Sequence, residues 1–349
     1  MSASGTANYE YVVARVRHRR ASLFSTEEYR KLLRMGSGEI ARFMEETEYE
    51  TEINALGSRH SGVDLIEYAL NRNLAKHFED LLRWSDGRLH EQVARYLRKY
   101  DAWNAKTVLR GLYSDASESE IREDFIDAGE FSEDFLDQLV AATDIEAAVD
   151  LLESTAFGAH LEQAYDDYEA SGLLVPLENA IDRAYYENLL PERTSESRAQ
   201  QLYEEFLQAE VDFRNARNAL RIARSGADID PADYFIEGGT LFKRNEIGAL
   251  ATNLDELVSR IRESTYGDEL SAALDDLEDA ESLVGFERAL DDALLAYSDH
   301  LSHVFPLSVC PVLAFVIAKE HEVNNIRAIA RGREAGLSED EIEEELVTL

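Results

Sequence analysis

Apolar residues along this chain recur at the three- and four-residue spacing of amphipathic helices, and no stretch shows the sustained alternation of a half-buried strand. Leu, Ala, Glu and Arg are frequent, whereas the 349 residues include only five Pro. These are the preferences of helical segments, and a hydrophobic content of 45% is sufficient to build cores. The pattern therefore predicts an all-α protein with little or no sheet.

One helical motif, which we call the first signature, occurs three times. An acidic residue is followed by Asn at the third position after it, by Lys or Arg at the fifth, and by Arg at the ninth. The copies are Asp101–Arg110, Asp212–Arg221 and Glu322–Arg331. Their asparagines, at positions 104, 215 and 325, are 111 and 110 residues apart. A fixed period of this length indicates one helical unit copied three times, because short solenoid repeats have periods of roughly 20–50 residues.

A second signature keeps the same period and order. It pairs Glu with Asn or Asp four positions later, and its copies are Glu67–Asn71, Glu178–Asp182 and Glu287–Asp291. A weaker third motif occurs at Glu46–Tyr49, Ser154–Phe157 and Ser264–Tyr266. Together the motifs predict three similar helical subdomains of about 110 residues each. We place them at residues 1–112, 113–224 and 225–349.

Placed on a helix at about 100° per residue, the first signature presents two different faces. In the first copy, Asp101 and Asn104 lie within or at the edge of the apolar arc, and Lys106 and Arg110 lie opposite. Carboxylates and amides that point toward a core are costly unless they are hydrogen-bonded. We therefore expect the acid and the Asn to tie neighbouring helices together within each copy, although the asparagines could instead line a pseudo-threefold axis. The structural candidates are Asp101, Asn104, Asp212, Asn215, Glu322 and Asn325.

The outward cations of the first signature have two interpretations. They can be intramolecular partners of nearby acids, for which Glu67, Glu178 and Glu287 are the candidates. Alternatively, they can face another subunit, and charge reversal would then weaken assembly while leaving the isolated fold intact. The candidates for such a partner interface are Lys106, Arg110, Arg217, Arg221, Arg327 and Arg331.

The formal net charge of −36 arises from 71 acidic and 35 basic residues, of which only six are Lys. The acids are spread along the chain rather than held in one tail. We interpret this as adaptation to concentrated salt, where a Debye length of about 3 Å weakens repulsion; an acidic partner-binding surface is the alternative. Such a surface argues against nucleic acid as a partner, because nucleic-acid binding depends on cationic contacts to phosphate.

The single cysteine, Cys310, excludes an internal disulfide. The segment Met1–Glu10 is polar and lacks an apolar signal region. The most apolar run, Val304–Ile317, is shorter than the roughly 20 residues of a spanning helix and is expected to form a buried core helix. We therefore expect no direct membrane span, and contact with a membrane only through a partner.

Few patterns in the chain carry catalytic chemistry. Asp275–Asp279 matches the Asp-Asp-x-x-Asp motif with which helical isoprenoid synthases hold magnesium and diphosphate, but no second aspartate-rich motif accompanies it. His300, His303 and His321 lack a carboxylate or Cys at a defined metal-binding spacing. No phosphate-binding glycine loop or nucleophile elbow is present. We predict no catalytic residue, no metal site and no cofactor.

The repeats resemble a known family. The threefold plan, Tyr100–Arg110, the closing Glu320–Arg327 and Tyr185–Leu190 in the middle copy are together similar to the C subunit of archaeal-type (A-type) ATP synthases. Its equivalent in vacuolar ATPases is the d subunit. The resemblance covers nearly the full length, and the acidic composition resembles a halophilic archaeal version. It departs modestly from the pattern at Glu322, where the other copies have Asp.

The resemblance implies an all-helical funnel of three subdomains around a pseudo-threefold axis. It implies a non-catalytic central-stalk protein that lies peripherally on the cytoplasmic side of the membrane. The expected partners are the proteolipid rotor ring and the other central-stalk subunits, between which the protein transmits torque for ATP synthesis. The alternatives are a helical scaffold or adaptor of another soluble complex and, on Asp275–Asp279 alone, a magnesium-dependent isoprenoid enzyme.

Overall fold

The computed structural model describes residues 7–190, 197–225, 231–264, 266–268, 271, 274–275 and 283–347. Throughout these residues the regular structure is helical, and no strand occurs among them. The prediction of an all-α protein is confirmed.

In the first copy, the second helix begins at a short polar side chain that caps it. Ser25 accepts a hydrogen bond from the Glu28 backbone N–H, and the Glu28 carboxylate accepts one from the Ser25 N–H, which together form a capping box. The helices are α1 (Tyr9–Arg20), α2 (Thr26–Leu32), α3 (Ser37–Met44), α4 (Glu50–Leu56), α5 (Gly62–Trp84), α6 (Gly87–Leu97) and α7 (Lys99–Tyr113).

The rest of the chain again combines short helices with long ones. The second copy contains α8 (Glu118–Glu123), α9 (Glu133–Val140), α10 (Ile145–Glu153), α11 (Leu161–Ser171), α12 (Val175–Leu189) and α13 (Arg198–Ser225). The third contains α14 (Arg244–Ala251), α15 (Leu254–Arg262), α16 (Leu283–Val304), α17 (Cys310–Ala335) and α18 (Glu339–Glu343). Short 3-10 turns occur at Gly158–His160 and Pro231–Tyr234.

The first signature lies on α7, α13 and α17, and the second lies on α5, α12 and α16. Each helix with a first signature packs against the helix with a second signature from the next copy: α7 against α12, and α13 against α16. The third packs against the first, because α17 lies on α5. The packing of the long helices is therefore cyclic, with the last copy in contact with the first.

The apolar run Val304–Ile317 differs from the single core helix expected there. Val304 ends α16 and is exposed, and Leu307 is exposed in the turn that follows. The buried part begins at Ser308, just before α17, and Pro311 occupies the first turn of that helix. Pro306 and Pro311 account for the break, since proline cannot donate within a helix interior. In the described part of the chain, no helix combines the length and apolar character needed to cross a bilayer.

Candidate functional site

In the first two copies, the acid of the first signature accepts hydrogen bonds from backbone N–H groups 28 to 30 positions further along the chain. Asp101 accepts hydrogen bonds from the backbone N–H groups of Glu130 and Phe131 at 2.8 and 2.9 Å. Gly129 allows this approach, because a Cβ there would lie 2.0 Å from the Asp101 Oδ1 atom. Burial raises the pKa of Asp101 to about 6, against the opposing effect of the two N–H donors.

The second copy has the same arrangement of an acid, two backbone N–H donors and a closely approaching glycine. Asp212 accepts hydrogen bonds from the backbone N–H groups of Thr240 and Leu241 at 2.9 and 3.0 Å. A Cβ on Gly239 would lie 2.1 Å from the Asp212 Oδ1 atom. Burial likewise raises the pKa of Asp212 to about 6.

The acid of the third copy makes an equivalent contact with the first copy. Glu322 accepts a hydrogen bond from the Phe24 backbone N–H at 2.5 Å. Phe24 precedes the Ser25 cap of α2, as Phe131 precedes the Ser132 cap of α9. The other Glu322 oxygen accepts from the Tyr49 hydroxyl at 2.6 Å and from Lys319 Nζ at 2.7 Å. The acids at the three equivalent positions therefore make the same tie around the molecule.

The asparagines of the first signature bind the backbone of one residue 21 or 22 positions downstream. In each case the side-chain oxygen accepts from the backbone N–H of that residue, and the side-chain amide donates to its carbonyl. All three amides are buried. The pairs are Asn104 with Ile126, Asn215 with Ile236, and Asn325 with Val347.

These contacts cross the predicted boundaries at residues 112 and 224. Ile126 and Ile236 belong to the next subdomain by that division, whereas Val347 stays within the third. In the first two copies the acid and the Asn thus bind the segment that follows their own helix, rather than a neighbouring helix of the same copy. The boundaries at 112 and 224 remain predictions.

The last Arg of each first signature forms an ion pair with the Glu of a second signature. Arg110 Nε lies 2.5 Å from a Glu178 carboxylate oxygen. Arg221 and Arg331 each bind their glutamate through two nitrogens, with Nη2 contacts of 2.6 and 2.8 Å. The glutamates are Glu178, Glu287 and Glu67, the three acids expected as intramolecular partners.

The inner cation of each signature reaches the last residue of the same second signature. Lys106 lies 2.5 Å from Asp182, and Arg217 forms an ion pair with Asp291. In the third copy the position is neutral, and Arg327 donates to the Asn71 side-chain oxygen at 2.8 Å. Lys106 and Arg217 are mostly buried, with side chains 14% and 20% exposed.

A cluster that the sequence analysis did not identify lies where α7, α13 and α17 meet. It consists of Lys99, Glu210 and Glu320, each two residues before the acid of its first signature. Lys99 Nζ lies 2.5 Å from Glu320, whose carboxylate also accepts from the Tyr100 hydroxyl. The only sequence signal was the repeated position itself, which carries a charged residue in every copy.

Glu210 is the least satisfied member of this cluster. Its Oε2 atom is buried and has no hydrogen-bond partner among the residues that the structure describes. Burial raises the pKa of Glu210 to about 7, and Lys99 opposes this rise only in part. Glu210 can therefore carry a proton near neutral pH.

Among the described residues, no group of three or more His, Cys, Asp or Glu could hold a metal ion. In the motif at 275–279, Asp275 forms a 3.0 Å ion pair with Arg262, and positions 276–279 lie outside the described residues. The arrangement that the described residues do form is a set of repeated ties between the three copies.

Comparison with known proteins identifies the family of this chain. Residues 12–345 match the family described as the ATP synthase (C/AC39) subunit. The chain is 66% identical to the C subunit of the A-type ATP synthase of Haloferax volcanii and 64% identical to that of Halobacterium salinarum, over the full length of both chains in each case. It is 37% identical to that of Methanosarcina acetivorans over 99% of this chain and 94% of the relative. The resemblance found in the sequence is confirmed: this chain belongs to the C/AC39 family of ATP synthase subunits, whose role is structural rather than catalytic.

Proposed function

We propose that this protein is the central-stalk component that links the proteolipid rotor ring of an A-type ATP synthase to the central shaft. In this role it transmits torque between ring and shaft during ATP synthesis coupled to ion transport. It works on the cytoplasmic side of the membrane as a peripheral protein. Family membership and the relatives named as C subunits of A-type ATP synthases support the proposal.

The observation that carries the mechanical part is the cyclic set of ties. The contact between Arg110 and Glu178 recurs in the second copy and again between Arg331 in the last copy and Glu67 in the first. A body whose parts are joined in a closed cycle resists twisting better than a linear array, which can open at either end. Close-packed helices add to this stiffness, because protein interiors deform little. A funnel with a pseudo-threefold axis suits such a coupling.

The exposed part of the ion pairs suggests where a partner contacts the protein. The side chains of Arg110, Arg221 and Arg331 are 50%, 52% and 62% exposed although each is paired. These three arginines can therefore meet a second carboxylate from another protein of the complex. The inner cations of the three signatures are more deeply buried, so they have less accessible surface for contact with a partner. They are Lys106, Arg217 and Arg327.

The proposal is tested by pull-down in molar salt, with tagged protein and detergent-solubilised membranes of the source organism. We expect recovery of a small proteolipid together with central-stalk subunits. Recovery of soluble partners without the proteolipid would contradict the proposal and favour the scaffold or adaptor function.

The contribution of the arginines is tested in the same assay by reversing all three to Glu. A matched variant also changes Glu67, Glu178 and Glu287 to Arg and so restores each intramolecular pair with the opposite polarity. If the arginines contact a partner, both variants lose assembly while circular dichroism shows an intact fold. If the matched variant assembles normally, the arginines act only within the chain.

A further inference from the structure

A cavity of about 240 Å3 lies between helices of all three copies. Its charged lining consists of Lys99, Lys106, Asp182, Arg214, Glu320 and Arg327. Trp103, which is 38% exposed, forms part of the wall.

The cations of this lining outnumber the carboxylates. Lys99 is paired with Glu320 at 2.5 Å. Asp182 is shared, because Lys106 and Arg214 each approach one of its oxygens to 2.5 Å. The lining thus has four cations and two carboxylates, in a protein whose net charge is −36. An excess of positive charge inside such an acidic molecule favours an anion.

Comparison of the copies identifies where negative charge is missing. Lys106 and Arg217 each face an aspartate of a second signature, whereas Arg327 faces the neutral Asn71. Arg327 also donates to the Asn324 side-chain oxygen at 3.0 Å, and no carboxylate of the described residues lies within ion-pairing distance of it. The repeat therefore supplies a carboxylate at two of three equivalent positions.

A second cation of the cavity also has unused donor capacity. The Nε atom of Arg214 is buried and has no hydrogen-bond partner in the described part of the chain. Carboxylates outside the cavity do not supply the missing charge directly. Glu67 and Asp124 share a neighbouring cavity with Arg327, where Glu67 is bound by Arg331. Glu210 shares another cavity with Arg214. None of these three described carboxylates forms an ion pair with Arg327 or Arg214.

We propose that this cavity binds one small monovalent anion, a halide or a carboxylate group, through the guanidinium groups of Arg327 and Arg214. Guanidinium groups suit this ligand because their N–H donors form charge-assisted hydrogen bonds with anionic acceptors. The site belongs to the isolated protein and does not depend on the proposed function.

Trp103 provides a direct optical probe. The chain has two Trp, so the Trp84→Phe variant leaves Trp103 as the sole indole. Potassium chloride or potassium acetate replaces potassium fluoride at constant molar ionic strength, while Trp103 emission is recorded. We expect a saturable change with chloride or acetate. Crystals soaked in bromide should show anomalous density inside the cavity, with surface bromide sites as the internal control for the soak.

Two variants decide whether the response comes from this site. Asn71→Asp supplies the carboxylate that the other copies have, and it should abolish the saturable response while the fold stays intact. Arg327→Gln should weaken binding about tenfold or more, because it removes a charged donor. Arg221→Gln is the matched control, since Arg221 occupies a first signature outside the cavity, and it should leave the response unchanged.

The absence of a saturable response in the parent protein, with no bromide in the cavity, would overturn the proposal. An unchanged response in the Asn71→Asp variant would do the same. Repeating the titration on the assembled complex identifies the physiological source of the ligand: a retained response indicates a free anion, and a lost response indicates a carboxylate from a neighbouring protein of the complex.

Discussion

Glu322 and Phe24 lie 298 positions apart in the chain, and the Glu322 carboxylate accepts a 2.5 Å hydrogen bond from the Phe24 backbone N–H. The equivalent contact in the first copy is local, because Asp101 binds Phe131 only 30 positions downstream. The same bond is thus local where copies follow one another and long-range where the last copy meets the first. A carboxylate that accepts a backbone N–H thus connects the last copy to the first, just as it connects the first copy to the second.

Substitution of Glu322 should therefore destabilise the protein strongly. Glu322→Gln keeps the size of the side chain but removes the charge that faces Lys319, whose side chain is fully buried. We expect the free energy of unfolding to fall by about 2 kcal/mol, because Lys319 loses one of its two carboxylate partners and keeps only Glu48. Denaturant unfolding in molar salt, followed by circular dichroism, measures the change.

Glu344→Gln is the control for loss of one acid near the same end of the chain, because Glu344 is exposed in the turn after α18. A change within about 0.5 kcal/mol is expected there. Equal stability of the two variants would mean that the charge of Glu322 does not help to hold the last copy against the first.

The close approach of Gly129 to the Asp101 carboxylate gives a second prediction. Gly129→Ala places a Cβ 2.0 Å from the Asp101 Oδ1 atom, so the carboxylate must leave its backbone donors. We expect a loss of about 2–4 kcal/mol in the free energy of unfolding, since a buried charge loses its hydrogen bonds. Thermal unfolding in molar salt measures this loss.

Gly38→Ala is the matched control, because Gly38 lies within α3 and a Cβ there would have no neighbour within 4 Å. This variant should be neutral or more stable by up to about 1 kcal/mol, as Ala is the better helix former. If both variants behave alike, the close approach between Gly129 and Asp101 is not a constraint on the fold.

Much of this arrangement can be predicted from the sequence, and the contacts that cannot be predicted are missed for physical reasons. The period predicted three related helical units, and Glu67, Glu178 and Glu287 were identified as acids near the cations. The donors to Asp101, Asp212 and Glu322 could not be predicted, because backbone N–H groups are the same in every residue. Lys99, Glu210 and Glu320 escaped notice since their charges differ between copies, whereas repeat detection relies on similarity.

Glu210 gives a prediction about pH. Its pKa is about 7 in the folded protein and 4.5 as the ordinary value, so the folded state binds this proton more tightly than the unfolded state. The stabilising contribution is complete below about pH 4.5 and is lost as the pH rises toward 7. Asp101 and Asp212, with pKa values of about 6, contribute with the same sign at lower pH.

The Glu210→Gln variant separates Glu210 from the two aspartates. Gln cannot ionise, so the variant should lose less stability than the parent protein between pH 4.5 and 8. Above pH 7 it should be more stable by up to about 3 kcal/mol. Denaturant unfolding of both proteins across this range tests the prediction, and parallel pH profiles would show that Glu210 does not titrate in it.

The acidic surface gives a last prediction, about salt. A net charge of −36 repels itself in dilute buffer, where the Debye length is about 30 Å at 0.01 M ionic strength, but far less at 1 M, where it is about 3 Å. We therefore expect helicity, measured by circular dichroism, to fall when the protein is dialysed from molar KCl into low salt. Sucrose at matched osmolarity separates screening from a general effect of cosolutes, because it carries no charge. If screening is the cause, KCl restores the helical signal and sucrose does not, whereas unchanged helicity at low salt would contradict the interpretation of the surface as an adaptation to salt.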